Sequence, residues 1–445
     1  MRRTALAVLL LGASCAEEPA VRPQWTVTLR TDAPVPVVVD RLLVEVTNAE
    51  GALACDSCRR LIDASNPAAW PISFGVAQSG SALRVRARLY RARATAADGA
   101  PDPIATIEAV MTLPASAGPV VVPLRMACFG EGATAAESCD PSTGALGPIA
   151  LATSGAGDST LVPGSWSESS SPPCASPAPD ASMACVQGGL FFFGDIIDSG
   201  VRGREQLVRV SSFFADRDEL SVGRARKLVA AKAVTRAPRR KSNDTSSTSV
   251  CTYLGELDGA NDALPLNCVD RYLAEALCVA EGKRLLTEAE FAYASGNRAR
   301  GTRYPWGDDE DICAHAVVAH DAMLLELDTT SLAIECRSQK GTTLPFGPVG
   351  NNVTSPDQTR DPVGLRNLGG NLTEWVQDTF QPLGGACWKG RSLLVDPVCR
   401  SGSLPALRGG AWSFPPWTAS AMFRASAAAT EPNHVGLRCA KDAAR

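Results

Sequence analysis

The stretch from Gly364 to Trp375 limits what this chain can fold into more than any other. Gly364, Gly369 and Gly370 let its backbone take positive φ and fold back on itself. Asn367 and Glu374 offer side-chain oxygens among bare carbonyls, and Leu372 and Trp375 are apolar pins against a core. Oxygen donors in a tight loop suit a hard cation such as calcium.

The N-terminus bounds the compartment. Arg2 and Arg3 precede an apolar run from Ala5 to Leu11, then Gly12, Ala13, Ser14 and Cys15. A basic start, a short apolar run and small residues read as a secretory signal, too short to span a membrane permanently. A cysteine directly after small residues resembles a bacterial lipobox, with Gly12 where leucine is usual. Cys15 is therefore expected to carry lipid, with residues 1–15 as signal segment. The chain is then exported to the bacterial cell envelope as an outer-membrane or surface lipoprotein, and the membrane is one partner. No later stretch reaches the roughly 18 consecutive apolar residues a span needs.

Of 15 cysteines, setting Cys15 aside leaves an even 14, the mark of disulfides in an oxidising compartment. Zinc takes four grouped ligands, and Cys55 with Cys58 has no second pair nearby. Local disulfides are favoured there, and for Cys128 with Cys139 and Cys174 with Cys185.

A length of 445 residues suits two or three domains of roughly 100–200 residues each. A net charge of −4 with interspersed signs gives no global pull toward nucleic acid. Residues 24–127 read as a β-sandwich: Trp25 to Arg30, Leu42 to Thr47 and Leu83 to Tyr90 alternate with period two, and Val120 to Leu124 is a continuous apolar run. Arg84, Arg86 and Arg88 share one strand face, expected to be a solvated outer face rather than a nucleic-acid patch. Residues 128–184, rich in Gly, Pro and Ser, read as a semi-flexible spacer. Beyond it lies a second domain, 185–441. Ser221 opens a helix to about Ala233, a second spans about Cys268 to Glu281, and Thr287 with Glu290 forms a capping box for a third, Glu288 to Ala294. The basic residues around the first helix read as solvated surface.

Several motifs occur together in this second domain: Lys283 to Phe291, Tyr304 to Gly307, Gly364 to Trp375, Leu407 to Trp412 and Gly436 to Cys439. Phe213, Asp216 and Glu219 add a matching strand-end spacing. In that order they resemble the sulfatase-modifying-factor family, the formylglycine-generating-enzyme-like domain. The resemblance implies an α+β, C-type-lectin-related fold with long loops pinned by disulfides and calcium. It implies one calcium site at Asn367, the carbonyls of Gly370 and Leu372, and Glu374. A second family calcium site is expected to be absent, because Cys313 to Ala316 stands there and His315 is a poor calcium ligand.

Enzymes of the family oxidise a substrate cysteine to formylglycine with copper, held by two cysteines and assisted by a serine. Aligned on Gly409 and Gly410, the serine position is Ala411 and the cysteine positions are Phe414 and Ala419. Copper(I) needs soft thiolates, which none of these supplies, so no catalytic residue and no copper are expected. A family bridge near this segment falls on Ser295 and the neighbourhood of Arg424, and is missing. The family's other bridge implies Cys278–Cys439. The remaining cysteines pair most simply as Cys251–Cys268, Cys313–Cys336 and Cys387–Cys399. An iron oxygenase would require a histidine cluster, and only His315, His320 and His434 exist. The acidic run Asp308 to Asp311 reads as a hydrated loop.

The reading is an exported, lipid-anchored protein with a non-catalytic binding or structural module, taking an unidentified peptide, protein or glycan and no nucleic acid. The alternative is an oxidase with relocated metal ligands.

Overall fold

The computed structural model describes residues 23–443 except 79, 96–97, 156, 168–170, 175–176, 195–204, 244–249, 320–335, 337–363, 389–392 and 429–431. Cys15 and the signal segment lie outside the described residues, as does His320. No described helix is long and apolar enough to cross a membrane.

The first domain begins with β1 (Gln24–Thr31), β2 (Arg41–Thr47), β3 (Arg59–Asp63), β4 (Ile72–Ala77) and β5 (Arg84–Tyr90). It continues with β6 (Thr106–Thr112), β7 (Pro119–Leu124), β8 (Glu137–Cys139), β9 (Leu146–Pro148) and β10 (Thr153–Ser154). One sheet has the order β10-β7-β1-β4 and the other β3-β2-β5-β6. Alternate residues of β1 and β5 point inward, so Trp25, Val27 and Leu29 meet Val85, Ala87 and Leu89 in one core between the sheets. The β5 arginines do not form a free basic face. Arg86 pairs with Glu108 at 2.5 Å and Arg88 with Glu45 at 2.6 Å, across neighbouring strands.

Residues 128–184 are not mainly a spacer. Gly130 N donates to Thr106 O (2.9 Å), Val110 N to Ser138 Oγ (2.8 Å) and Ala152 N to Thr112 O (2.8 Å), so this segment seals the outer edge of β6. Cys128 and Cys139, bonded to each other, are buried in the first core, and Trp166 packs on it. The first domain thus reaches Trp166, and by Ser171, whose hydroxyl donates to Val210 O (3.0 Å), the chain has joined the second. Composition hid this because the strands are two or three residues long.

The second domain opens with β11 (Met183–Val186), β12 (Gly189–Phe193), β13 (Gln206–Val210) and β14 (Phe213–Asp216). Then come α1 (Val222–Ala230), α2 (Arg271–Ala280), β15 (Arg284–Leu285), α3 (Glu288–Ser295) and α4 (Ile312–His315). It ends with β16 (Thr373–Thr379), β17 (Leu394–Val395), β18 (Pro405–Arg408), β19 (Arg424–Ser426), β20 (Val435–Leu437) and β21 (Cys439–Asp442). These strands form sheets of order β11-β14-β21-β15, β12-β13-β17 and β19-β18-β16-β20.

Helix starts follow local chemistry: Ser221 and Asp270 cap α1 and α2, and Thr287 with Glu290 closes the capping box of α3. Two helices are shorter than their patterns suggest. Cys268 has φ 54° and Lys232 φ 54°, left-handed values a helix interior does not accommodate. The hairpin β12–β13 is a shared wall. Leu190, Phe192 and Leu207 face the first domain's core, while Phe191, Phe193 and Val208 face the second's. Arg91 locks the join, 3.1 Å from Glu205 and stacked 4.2 Å over the Phe192 ring.

Candidate functional site

The site's scaffold is β16. It is buried on both faces, so Trp375 enters one core with Leu273 and Leu277 of α2, and Val376 another with Phe291 of α3. Trp375 Nε1 donates to Val269 O at 3.0 Å, which satisfies its polar end. Parallel pairing with β20 sets Glu374 opposite Gly436, two residues before Arg438.

Glu374 and Arg438 are both buried and paired, Nη2 to Oε1 at 2.9 Å, with Nε 3.2 and 3.3 Å from the two carboxylate oxygens. The same guanidinium donates to the carbonyls of Asp216 (3.0 Å), Arg217 (2.7 Å) and Arg366 (2.6 Å). One arginine thereby ties β14, the Gly364–Trp375 loop and β16 together. Burial raises the Glu374 carboxyl's pKa, and Arg438 opposes that rise.

The loop itself closes around a second buried carboxyl group. Glu219 accepts from Asn367 Nδ2 (2.7 Å), Asn371 Nδ2 (2.9 Å) and Leu372 N (3.0 Å). Burial, with the nearby Glu374 charge, pushes Glu219 up to about 8. Asn367 (φ 62°) and Asn371 (φ 68°) sit in the left-handed region that asparagine tolerates. The glycines here serve close approach: a Cβ on Gly370 would lie 2.8 Å from Val317 N, and one on Gly410 2.5 Å from Gly369 O.

Of the calcium ligands the resemblance implies, Asn367 turns its amide nitrogen to Glu219 and Glu374 gives both oxygens to Arg438. A cation at Glu374 would meet a fixed guanidinium, so the set of Asn367, Gly370, Leu372 and Glu374 does not fit calcium in this arrangement. A second group, Asp216 with Glu281 and Cys439, converges within 4.8 Å but is also unsuited to a metal. Cys439 is bonded to Cys278, and Arg224 and Lys283 neutralise the two carboxylates.

At and around the positions to which the resemblance assigns copper ligands, the chain places rings. Ala411 and Ala419 are fully buried, Ala419 among Tyr304, Trp306 and Ile312. Phe414 lies 4.9 Å from the His434 ring and 6.1 Å from Phe423, and Trp417 stands edge-on to Phe423 at 5.5 Å. Trp417 is 60% exposed, held on a single turn opened by Pro415 and Pro416. Burial holds the His434 pKa below the ordinary imidazole value. Sequence reasoning named Phe414, and His434 only as one of three histidines, but missed Trp417 and Phe423; the four meet only in the fold.

All fourteen remaining cysteines are disulfide-bonded: Cys55–Cys58, Cys128–Cys139, Cys174–Cys185, Cys251–Cys268, Cys278–Cys439, Cys313–Cys336 and Cys387–Cys399. No thiol other than Cys15 is left to ligate copper. Ser295 is fully buried, and Arg424 is occupied by Glu288 at 2.6 Å. The acidic run serves structure: Asp308 accepts from Arg303 N, Asp311 caps α4, and Asp309 meets His315 at 3.2 Å. His315 stacks on Trp306 at 5.1 Å.

Residues 170–443 match the model of the sulfatase-modifying factor enzyme 1-like domain, more than half of the chain. The chain belongs to this family. Over 171 residues it is 29% identical to the formylglycine-generating enzyme of Streptomyces coelicolor, a match covering 36% of this chain and 48% of that enzyme. PvdO from Pseudomonas aeruginosa aligns at 20% identity with a TM-score of 0.42, over 58% of this chain and 94% of PvdO. Treponema denticola variable protein 1 aligns at 14% identity with a TM-score of 0.40, again over 58% of this chain and 94% of that protein.

Proposed function

We propose that this sulfatase-modifying-factor-like domain is a non-catalytic binding module, exported and held at the bacterial envelope by lipid on Cys15. The observation that carries the reading is the chemistry at the copper positions: Ala411, Phe414 and Ala419 offer no donor, and every cysteine beyond Cys15 is bonded. In their place the rings of Phe414, Phe423 and His434 back an exposed, proline-held Trp417. A rigid aromatic platform gives large contact area at little entropic cost, which suits a peptide, protein or glycan ligand.

The second reading, oxidation of a substrate cysteine to formylglycine by relocated ligands, is favoured by the likeness to the Streptomyces coelicolor enzyme. Titrating the purified mature protein with copper(I) separates the two. Tight stoichiometric binding with all seven disulfides intact supports the oxidase, and its absence supports the binding module.

A further inference from the structure

The first domain treats its sheet edges unequally. The edge of β6 is sealed by residues 128–152, whereas β3 and β4, the outer strands on the opposite side, have no strand beyond them among the described residues. An open edge presents a row of backbone donors and acceptors, and proteins normally guard it with charge, proline or a bulge. Edge β3 is guarded by Arg59, Arg60 and Asp63. Edge β4, Ile72 to Ala77, has no charged residue and no proline, and pairs with β1 in unbroken register from Leu29 to Gln24.

Between these two edges the sandwich gapes into a cleft of about 640 Å³. Its walls are mixed, with Val44, Ile62, Ile72, Phe74 and Leu83 beside polar Asn48, Ser57 and Gln78, and Arg60 is the one charged residue among the described lining. No carboxylate lines it among the described residues. An unguarded edge beside a partly apolar cleft with a lone cation matches strand addition: main-chain bonds along the edge, alternate side chains into the gap. A strand of five to six residues spans roughly 17–20 Å, about the reach of a strand as long as β4.

We propose that this cleft binds an extended peptide segment of a partner protein, which adds to β4, buries alternate apolar side chains between the sheets and sets a carboxylate against Arg60. A second copy of the chain fits less well, since it would bring a second Arg59–Arg60 pair to the cleft. This inference is independent of the aromatic platform and of any chemistry in the second domain.

The test is a random heptapeptide library displayed on phage and panned against the full mature protein. Two variants serve as controls: Arg60→Glu, and Ser73→Lys on the solvent-facing side of β4. Both positions are exposed, so neither change disturbs the core. The expected result is enrichment of peptides with alternating apolar residues and an Asp or Glu, whose synthetic forms bind each variant at least tenfold more weakly. No enrichment over an unrelated protein, or full affinity for both variants, overturns the proposal. So does displacement of the peptides by dodecanoate, which would make the cleft a lipid site. Sedimentation as a dimer that Ser73→Lys dissociates would overturn it in favour of self-pairing.

Discussion

Glu374 and Arg438 face each other at 2.9 Å with neither side chain in contact with solvent. The pair joins β16 to the β20–β21 turn, and Arg438 extends it to three backbone carbonyls. A buried pair is a weak source of net stability, but breaking one side strands the other charge.

Replacing Glu374 with Gln is therefore expected to destabilise the second domain by about 3–5 kcal/mol, and Arg438→Met by at least as much because three carbonyls lose their donor. Urea unfolding followed by tryptophan fluorescence reads this out. A change below about 1 kcal/mol for either variant would contradict the role given to the pair.

Glu219 makes stability depend on pH. Its folded pKa, about 8, lies above its ordinary 4.5, so the folded chain holds a proton that the unfolded chain releases. Its contribution is complete below about pH 4.5 and is lost as pH rises through about 8, at up to ~1.4 kcal/mol per pH unit. Asp378, buried and pushed up to about 7, adds a loss of the same sign. Relative to Glu219→Gln, the native protein is expected to lose ground steadily between pH 5 and pH 8. Parallel stability curves for the two would refute this.

The disulfide Cys278–Cys439 closes a separation of 161 residues and joins α2 to β21. In the chain-entropy model a loop this long contributes about 5 kcal/mol. Converting both cysteines to serine is expected to lower the unfolding midpoint far more than the same change at Cys387 and Cys399, which are 12 residues apart. Equal shifts would show that the long bridge has no special role.

The Asn367–Glu374 loop is stitched by Glu219 and Arg438, so added calcium is expected to leave the thermal midpoint nearly unchanged. A calcium held at 100 times its dissociation constant would add about 2.7 kcal/mol, which EDTA would remove. A fall of that size on chelation would restore the metal site that the family resemblance implies.

Much of this was legible in the sequence where the signal is local. The Thr287–Glu290 capping box, the alternation from Trp25 to Arg30 and the fold family rest on residues close together in the chain. The residues that the family resemblance sets at its copper positions, Ala411, Phe414 and Ala419, are simply read off. What escaped depends on distance. Glu219 meets Leu372 across 153 residues, and nothing nearby in sequence marks them as partners. The short strands β8 to β10 escaped because two or three residues carry no periodicity, so their Gly- and Ser-rich surroundings read as a spacer.

The most direct trial of the account gives the purified, copper-loaded mature protein a cysteine-containing peptide in aerated buffer and follows the peptide by mass spectrometry. With no thiolate to hold the metal, the cysteine is expected to emerge unchanged beyond ordinary air oxidation. Turnover of that cysteine to a peptide aldehyde would contradict the central claim.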